Sequence, residues 1–198
     1  EILFSIDTKG RACIMEYSDD RKTISCTYEV CSDGVSTVRS SLQNIPVSTL
    51  PWSTRRIRNL YPVMISNLDE LPAEAGEEKK YLQRRGVLSF ILIPLIIKKK
   101  AWGYIGIDID KYRMWNLEDY QWLSSIANII SIITKMARIN EALDRGEKLL
   151  RNIYTNIPVG IELYDKDGFL IDMNNKDVEI FGLNSKKDAL GINIFDNP

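Results

Sequence analysis

The middle of the chain contains the stretch that decides the fold, Val87-Leu-Ser-Phe-Ile-Leu-Ile-Pro-Leu-Ile-Ile97, and a second one, Ala101-Trp-Gly-Tyr-Ile-Gly-Ile-Asp-Ile-Asp110. The first is apolar at successive positions, which is typical of a central strand covered on both sides of its sheet. Pro94 cannot donate a ladder hydrogen bond, so a bulge or a local edge is expected there. The charged segment 98–100 predicts a hairpin turn between the two strands.

Two further strands are predicted upstream, Arg11–Ser18 and Thr23–Ser32, joined by a short charged turn. Strict alternation in the second strand places one set of side chains on one face and the other set on the opposite face. The first set is Ile24, Cys26, Tyr28 and Val30, and the second is Ser25, Thr27, Glu29 and Cys31. On this reading Cys26 and Cys31 point in opposite directions. With Cys13 they are predicted to be reduced, buried thiols.

The segment between the two strand pairs is irregular, because glycine and several prolines interrupt it. Short helices are predicted at Val38–Gln43 and Ser53–Leu60, and a short strand at Pro62–Ser66. Glu74–Arg85 predicts a helix with acidic residues early and arginines late, and Gly86 is placed to end it.

A long helix is predicted from Leu117 to Ile157, with Asn116 as its N-cap. At 1.5 Å per residue it would extend roughly 60 Å. A domain of about 115 residues cannot cover all of it, so its apolar edge is expected to pair with another helix. The sequence therefore favours a homodimer formed through this helix.

The predicted dimer seam follows two series of residues spaced by seven. Asn140 resembles the buried polar residue that fixes the register of two-stranded coiled coils, although it is equally compatible with an exposed position. The candidate seam residues are Trp122, Ile126, Ile129, Ile133, Met136, Asn140, Leu143, Leu150 and Ile157.

After Pro158 the pattern changes to short strands at Gly160–Tyr164 and Phe169–Met173, separated by a turn that ends in Gly168. Asn174 is predicted to cap a short helix that ends near Gly182. Because typical domains contain at least about 50 residues, this second domain is expected to be truncated.

Composition excludes several functional classes. The 198 residues include 26 basic and 27 acidic side chains, so the net charge of −1 gives no general attraction to nucleic acid. The sequence contains no histidine, which excludes a Ser-His-Asp triad, a phosphoacceptor histidine and histidine-ligated metal or haem within it. No uncharged run reaches the length of a membrane helix and no signal peptide is recognisable, so a cytoplasmic location is expected.

Residues 3–137 resemble the GAF domains of bacterial sensor histidine kinases, an α+β fold with a mixed or antiparallel sheet and flanking helices. The residues that carry the resemblance are Thr27–Gly34, Leu42–Pro46, Gly86–Leu95, Trp102–Asp108 and Arg113–Trp115. The implied boundaries are 1–137 for the GAF domain and 116–157 for an overlapping signalling helix.

Residues 158–198 resemble the N-terminal part of a PAS domain. Ile157–Ile161, Asp165, Gly168, Asn174, Phe181–Gly182 and Leu190–Gly191 carry this resemblance. The order of modules implies the cytoplasmic input region of a two-component sensor histidine kinase, part of a phosphorelay, with no catalysis in this fragment. The input region of a diguanylate cyclase or a transcription regulator, and a ligand-free dimerisation module, are the alternatives.

The GAF resemblance implies a pocket for a small ligand between the sheet and the covering segment 48–67. The candidate pocket residues are Tyr28, Trp52, Arg55, Tyr61, Ser89 and Ile91, and the arginines are equally compatible with a solvated helix face. The ligand is not specified, and no metal site is expected.

Known cofactors of the two families are disfavoured by their missing motifs. Haem and bilin relatives use histidine, flavin-binding PAS relatives use a cysteine motif that is absent beyond Cys31, and the cyclic-nucleotide signature is incomplete after Phe90. A GAF-fold free methionine sulfoxide reductase is a remote alternative, because it requires an exposed, electropositive cysteine.

Overall fold

The structure is a computed structural model that describes residues 9–196. Its strands are β1 (Gly10–Tyr17), β2 (Thr23–Cys31), β3 (Ile45–Pro46), β4 (Val63–Ile65), β5 (Ser89–Ile97), β6 (Lys100–Ile109), β7 (Glu162–Tyr164) and β8 (Leu170–Met173). Its α-helices are α1 (Pro51–Arg58), α2 (Gly76–Arg84), α3 (Leu117–Asn156) and α4 (Asn175–Ile180). The chain divides into two compact units between Lys135 and Met136.

The first unit is built on a six-stranded antiparallel sheet in the order β3-β2-β1-β6-β5-β4. The predicted central strand is β5, whose side chains are buried on both faces from Ser89 to Leu95. β4 pairs only with Phe90–Leu92, so Pro94 lies on a local edge, as expected. After Pro94, α3 supplies a hydrogen-bond acceptor to the free edge of β5. The Ser131 hydroxyl of α3 accepts a hydrogen bond from Ile96 N at 3.0 Å.

A bulge corrects the predicted faces of β2. Ile14 pairs with Tyr28 while the next residue, Met15, pairs with Cys26, so Thr27 is the extra residue in the ladder. The alternation therefore reverses at this point, and Tyr28 and Val30 lie on the opposite face from Cys26. Glu29 and Cys31 lie on the same face as Cys26, which contradicts the prediction that Cys26 and Cys31 point apart. All three cysteines are nevertheless free thiols.

The two faces of the sheet carry separate cores. On one face Ile91, Ile105 and Ile107 pack with Leu123 and Ala127 of α3. On the other face the side chains of β1, β2, β5 and β6 pack against α1, α2 and the loops between them. Gly103 in β6 is required by close packing of strands, because a Cβ there would lie 2.1 Å from the Met15 carbonyl oxygen.

The helices of the first unit follow the predicted pattern, with shifted ends. The predicted helices at 53–60 and 74–85 are α1 and α2, and Gly86 ends α2 with a φ of 71°. The helix predicted at Val38–Gln43 is only a 3₁₀ turn, Arg39–Ser41.

The long helix α3 begins as predicted after Asn116. The Asn116 side chain accepts from Asp119 N at 2.9 Å, and the Asp119 side chain accepts from Asn116 N at 3.1 Å, which forms a reciprocal cap. Leu123, Ala127 and Ser131 are the buried residues of this helix among those that the structure describes. Within residues 9–196, no helix combines the length and the apolar character needed to cross a membrane.

The second unit contains the predicted strand pair β7 and β8, which is antiparallel, and α4. Asn174 caps α4 as predicted, accepting from Asp177 N at 3.0 Å. Its core is small and consists of Leu170, Met173 and Ala189.

Candidate functional site

A small cavity of about 30 Å³ lies between the sheet and the two helices α1 and α2. A cavity needs about 10–15 Å³ of such space to hold one water molecule, whereas pockets for drug-sized ligands span about 300–1,000 Å³. The cavity in this conformation therefore has room for water-sized molecules. Its wall is formed by Cys13, Met15, Leu42, Ile45, Leu50, Ser53, Glu78, Tyr81, Leu82, Arg85, Phe90, Leu92, Tyr104 and Asp108.

Glu78 is the fully buried carboxylate of this wall. Its oxygens accept hydrogen bonds from Trp52 N at 3.1 Å, Ser53 N at 3.2 Å and the Ser53 hydroxyl. The carboxylate of α2 thereby satisfies the free N–H groups at the start of α1, where the helix dipole favours negative charge. Burial raises the pKa of Glu78, and these hydrogen bonds oppose that effect only in part.

Arg85 and Asp108 form an ion pair at another part of the wall. Arg85 Nη2 lies 3.5 Å from Asp108 Oδ2, which is long for a hydrogen bond, and the guanidinium lies 5.7 Å from the centre of the Tyr81 ring. Asp108 is buried, and desolvation raises its pKa even though the guanidinium stabilises its charge. The wall thus contains an arginine and a carboxylate that are held close without a short, bidentate contact.

Cys13 contributes a thiol to the cavity and is hydrogen-bonded to Cys26 on the neighbouring strand. This bond, followed by burial, raises the pKa of Cys13, whereas the same bond lowers the pKa of Cys26. The Cys26 thiol also donates to the Tyr28 carbonyl at 3.3 Å. Burial raises the pKa of Cys31 as well, so the structure presents Cys13 and Cys31 in settings that favour the unreactive thiol.

The six predicted pocket residues do not line the cavity. Tyr28 is placed on the other face of the sheet by the β2 bulge, and it is 61% exposed. Ile91 packs on the α3 side of β5, and Ser89 donates to the Lys111 carbonyl at 2.8 Å. The alternating neighbours Phe90 and Leu92 face the cavity instead, so the prediction chose the wrong face of β5.

The remaining three predicted pocket residues lie in or after α1. Trp52 is half-buried against the core, and its backbone N–H contributes to the Glu78 contact. Arg55 is exposed and paired with Glu74. Tyr61 is 59% exposed beside the guanidinium of Arg56. Of the predicted covering segment 48–67, Leu50 and Ser53 are the residues that line the cavity.

The predicted seam residues of α3 are mostly exposed. Ile126 is partly buried against the sheet, and Ile157 follows the end of the helix. The exposed members of the predicted set are Trp122, Ile129, Ile133, Met136, Asn140, Leu143 and Leu150.

Among the exposed apolar residues of α3 that were not predicted, Ile132, Ile139 and Ile153 share one spacing. They follow Ile129, Met136 and Leu150 by three positions, so the exposed apolar residues alternate at intervals of three and four. This spacing was present in the sequence and would have identified them. We call Ile129, Ile132, Met136, Ile139, Leu143, Leu150 and Ile153 the α3 stripe.

Comparison with known proteins identifies the family of the first unit. The family model of the GAF domain matches residues 10–133. No curated protein sequence matches the chain.

Several solved structures share the fold. The photoproduct state of GAF3 from Slr1393 of Synechocystis sp. PCC6803 has a TM-score of 0.59 and 17% identity, covering 72% of this chain and 90% of that one. A domain assigned to a two-component sensor histidine kinase of Sinorhizobium meliloti 1021 has a TM-score of 0.54 and 17% identity, covering 72% and 88%. The phycocyanobilin-bound GAF domain of a cyanobacterial phytochrome has a TM-score of 0.57 and 14% identity, covering 66% and 76%.

Proposed function

The chain belongs to the GAF domain family, and from that premise we propose that it is the sensory and signal-transmitting region of a two-component sensor histidine kinase. In this proposal the GAF unit changes the packing of α3 against the same helix of a second copy. The change passes to the following segment and then to a kinase domain in the same protein. The chain itself performs no catalysis and works in the cytoplasm.

The α3 stripe is the observation that carries this proposal. The seven residues of the stripe are 49–71% exposed. Their spacing by three and four is typical of the apolar residues at a helix–helix interface. An exposed apolar stripe on a single helix is stabilised when a second helix covers it. Two arrangements of such a seam can interconvert, so it can act as the two-state element that a relay requires.

The domain context supports a kinase as the output. A domain assigned to a two-component sensor histidine kinase is among the structures that share this fold. The second unit supports the proposal through its sequence resemblance to the start of a PAS domain and through its order of elements, β7, β8 and α4. PAS and GAF modules in series would form one input pathway.

The relay is tested by changing the helical phase of α3 in a full-length protein that carries this chain. Four residues inserted after Arg145 would rotate everything downstream by about 40°, since an α-helix has 3.6 residues per turn. Seven residues inserted at the same place are the matched control, because they nearly restore the phase of the seam. We expect the four-residue insertion to change kinase output and the seven-residue insertion to preserve it. Equal output from both proteins would contradict the relay.

A further inference from the structure

A second pocket lies on the opposite side of the Arg85–Asp108 pair from the cavity described above. It is an open cleft of about 300 Å³ at the end of the sheet, where β1 begins and β6 ends. The loop after β2 and the turn after α2 form its other walls. Arg85 and Asp108 line both this cleft and the cavity described above, so they form the partition between the two.

The cleft carries charged groups of both signs. Its cationic side chains are Lys9, Arg11 and Arg85, and its anionic side chains are Asp108 and Asp110. Arg11 lies 4.0 Å from Glu29, and its Nε–H donates to the Ser36 carbonyl at 3.3 Å. With Arg11 engaged in this way and Arg85 paired with Asp108, Lys9 and Asp110 add one further charge of each sign to the cleft. A simple anion would be repelled by the carboxylates and a simple cation by the cationic side chains, whereas a molecule carrying both charges would match both groups.

Arg85 has unused capacity for hydrogen bonding. A guanidinium has five N–H donors, and among the described residues the side chain of Arg85 donates to Asp108 Oδ2, at 3.5 Å. The side chains of Arg85 and Asp108 are only 19% and 11% exposed, so little water reaches them. A buried pair with such a long contact would gain from a ligand that supplies a carboxylate to Arg85.

We propose that this cleft is a binding site for a small zwitterion of the α-amino acid type. The carboxylate of the ligand accepts hydrogen bonds from Arg85, and its ammonium group lies toward Asp108 and Asp110. The cleft volume is at the lower limit of the range for ligand pockets, which suits a molecule of this size. Val35, which is half-buried, offers an apolar contact to the ligand side chain.

This site would be distinct from the cavity but coupled to it. A ligand that draws Arg85 toward the cleft weakens its contact with Asp108, and both residues are part of the cavity wall. The inference goes beyond the proposed function, because it requires neither a partner copy nor a downstream kinase.

The test is isothermal titration calorimetry of the whole chain at low salt with each of the twenty standard L-amino acids. Propionate and ethylamine, which each carry one of the two charges of alanine, serve as matched probes. We expect at least one amino acid to bind with one site per chain, and both singly charged probes to bind at least tenfold more weakly. Absence of binding by all twenty, or equal binding by propionate, would overturn the proposal.

Variants locate the site. Arg85→Gln is expected to weaken amino acid binding at least tenfold, while Arg84→Gln, at the neighbouring exposed arginine, leaves it unchanged. Because Arg85 is half-buried, Asp110→Asn at an exposed position provides a second variant that should weaken binding without affecting folding. Binding that survives both Arg85→Gln and Asp110→Asn would exclude this cleft. Sedimentation of the same samples reports on self-association separately, so a failure of the relay and a failure of the cleft site are distinguishable.

Discussion

Replacement of Ile139 by aspartate tests the role of the α3 stripe. Ile139 is 54% exposed in the described chain, so a partner helix can bury about half of its side chain. Full burial of an isoleucine contributes about 1.5–3 kcal/mol, so half-burial contributes about 0.75–1.5 kcal/mol per copy and about 1.5–3 kcal/mol per dimer. Since each 1.4 kcal/mol is a factor of ten, the dimer dissociation constant should rise about 10- to 140-fold from the lost burial alone. Burial of the two new charges would raise it further.

The assay is sedimentation equilibrium over a wide range of protein concentrations. The matched control is Ala137→Asp, which adds the same charge to the same helix at an exposed position outside the stripe. We expect Ala137→Asp to retain the wild-type dissociation constant. The same dissociation constant for Ile139→Asp and Ala137→Asp would refute the reasoning, because the effect would then depend on charge or helicity and not on the stripe.

The remaining predictions concern packing and protonation in the two units. Gly103→Ala should lower the free energy of unfolding by about 1–3 kcal/mol, because its Cβ would meet the Met15 carbonyl oxygen at 2.1 Å. Gly146→Ala, which meets nothing within 4 Å, should instead stabilise α3 by about 0.5–1 kcal/mol, and urea denaturation of both proteins would show opposite shifts. For Glu78 the raised pKa means that its protonated form favours folding below the ordinary value of 4.5, and that this contribution is lost as the pH rises through the higher folded-state pKa. Glu78→Gln should therefore gain stability relative to the wild type as the pH rises above 4.5, and a difference that does not vary with pH would contradict this assignment.

The sequence predicted those parts of the fold that depend on local patterns. The long apolar run and the Pro94 exception predicted β5 and its local edge, and Asn116 predicted the start of α3. The GAF fold of the first unit followed from a set of motifs, and the match of the family model to residues 10–133 confirmed it. These features could be predicted from the sequence because each depends on residues that are neighbours in the chain.

The residues of the cavity were predicted poorly because they depend on register and on tertiary packing. The bulge at Thr27 reverses the faces of β2, and a pattern of strict alternation cannot reveal an extra residue in the ladder. Glu78 and Arg85 belong to a helix with many charges, where most charged side chains are solvated. One signal was available, because Glu78 lies four residues before Leu82 and therefore on the apolar face of α2.

Amide hydrogen exchange of the wild-type chain, measured at two protein concentrations, tests most directly whether the α3 stripe is covered by a second copy. We expect the amides of residues 129–153 to exchange more slowly at the higher concentration, where the dimer prevails, while the amides of β5 and β6 exchange at the same rate in both samples. Exchange in α3 that is independent of concentration, in a chain that sediments as a monomer throughout, would contradict a signalling role for this helix seam.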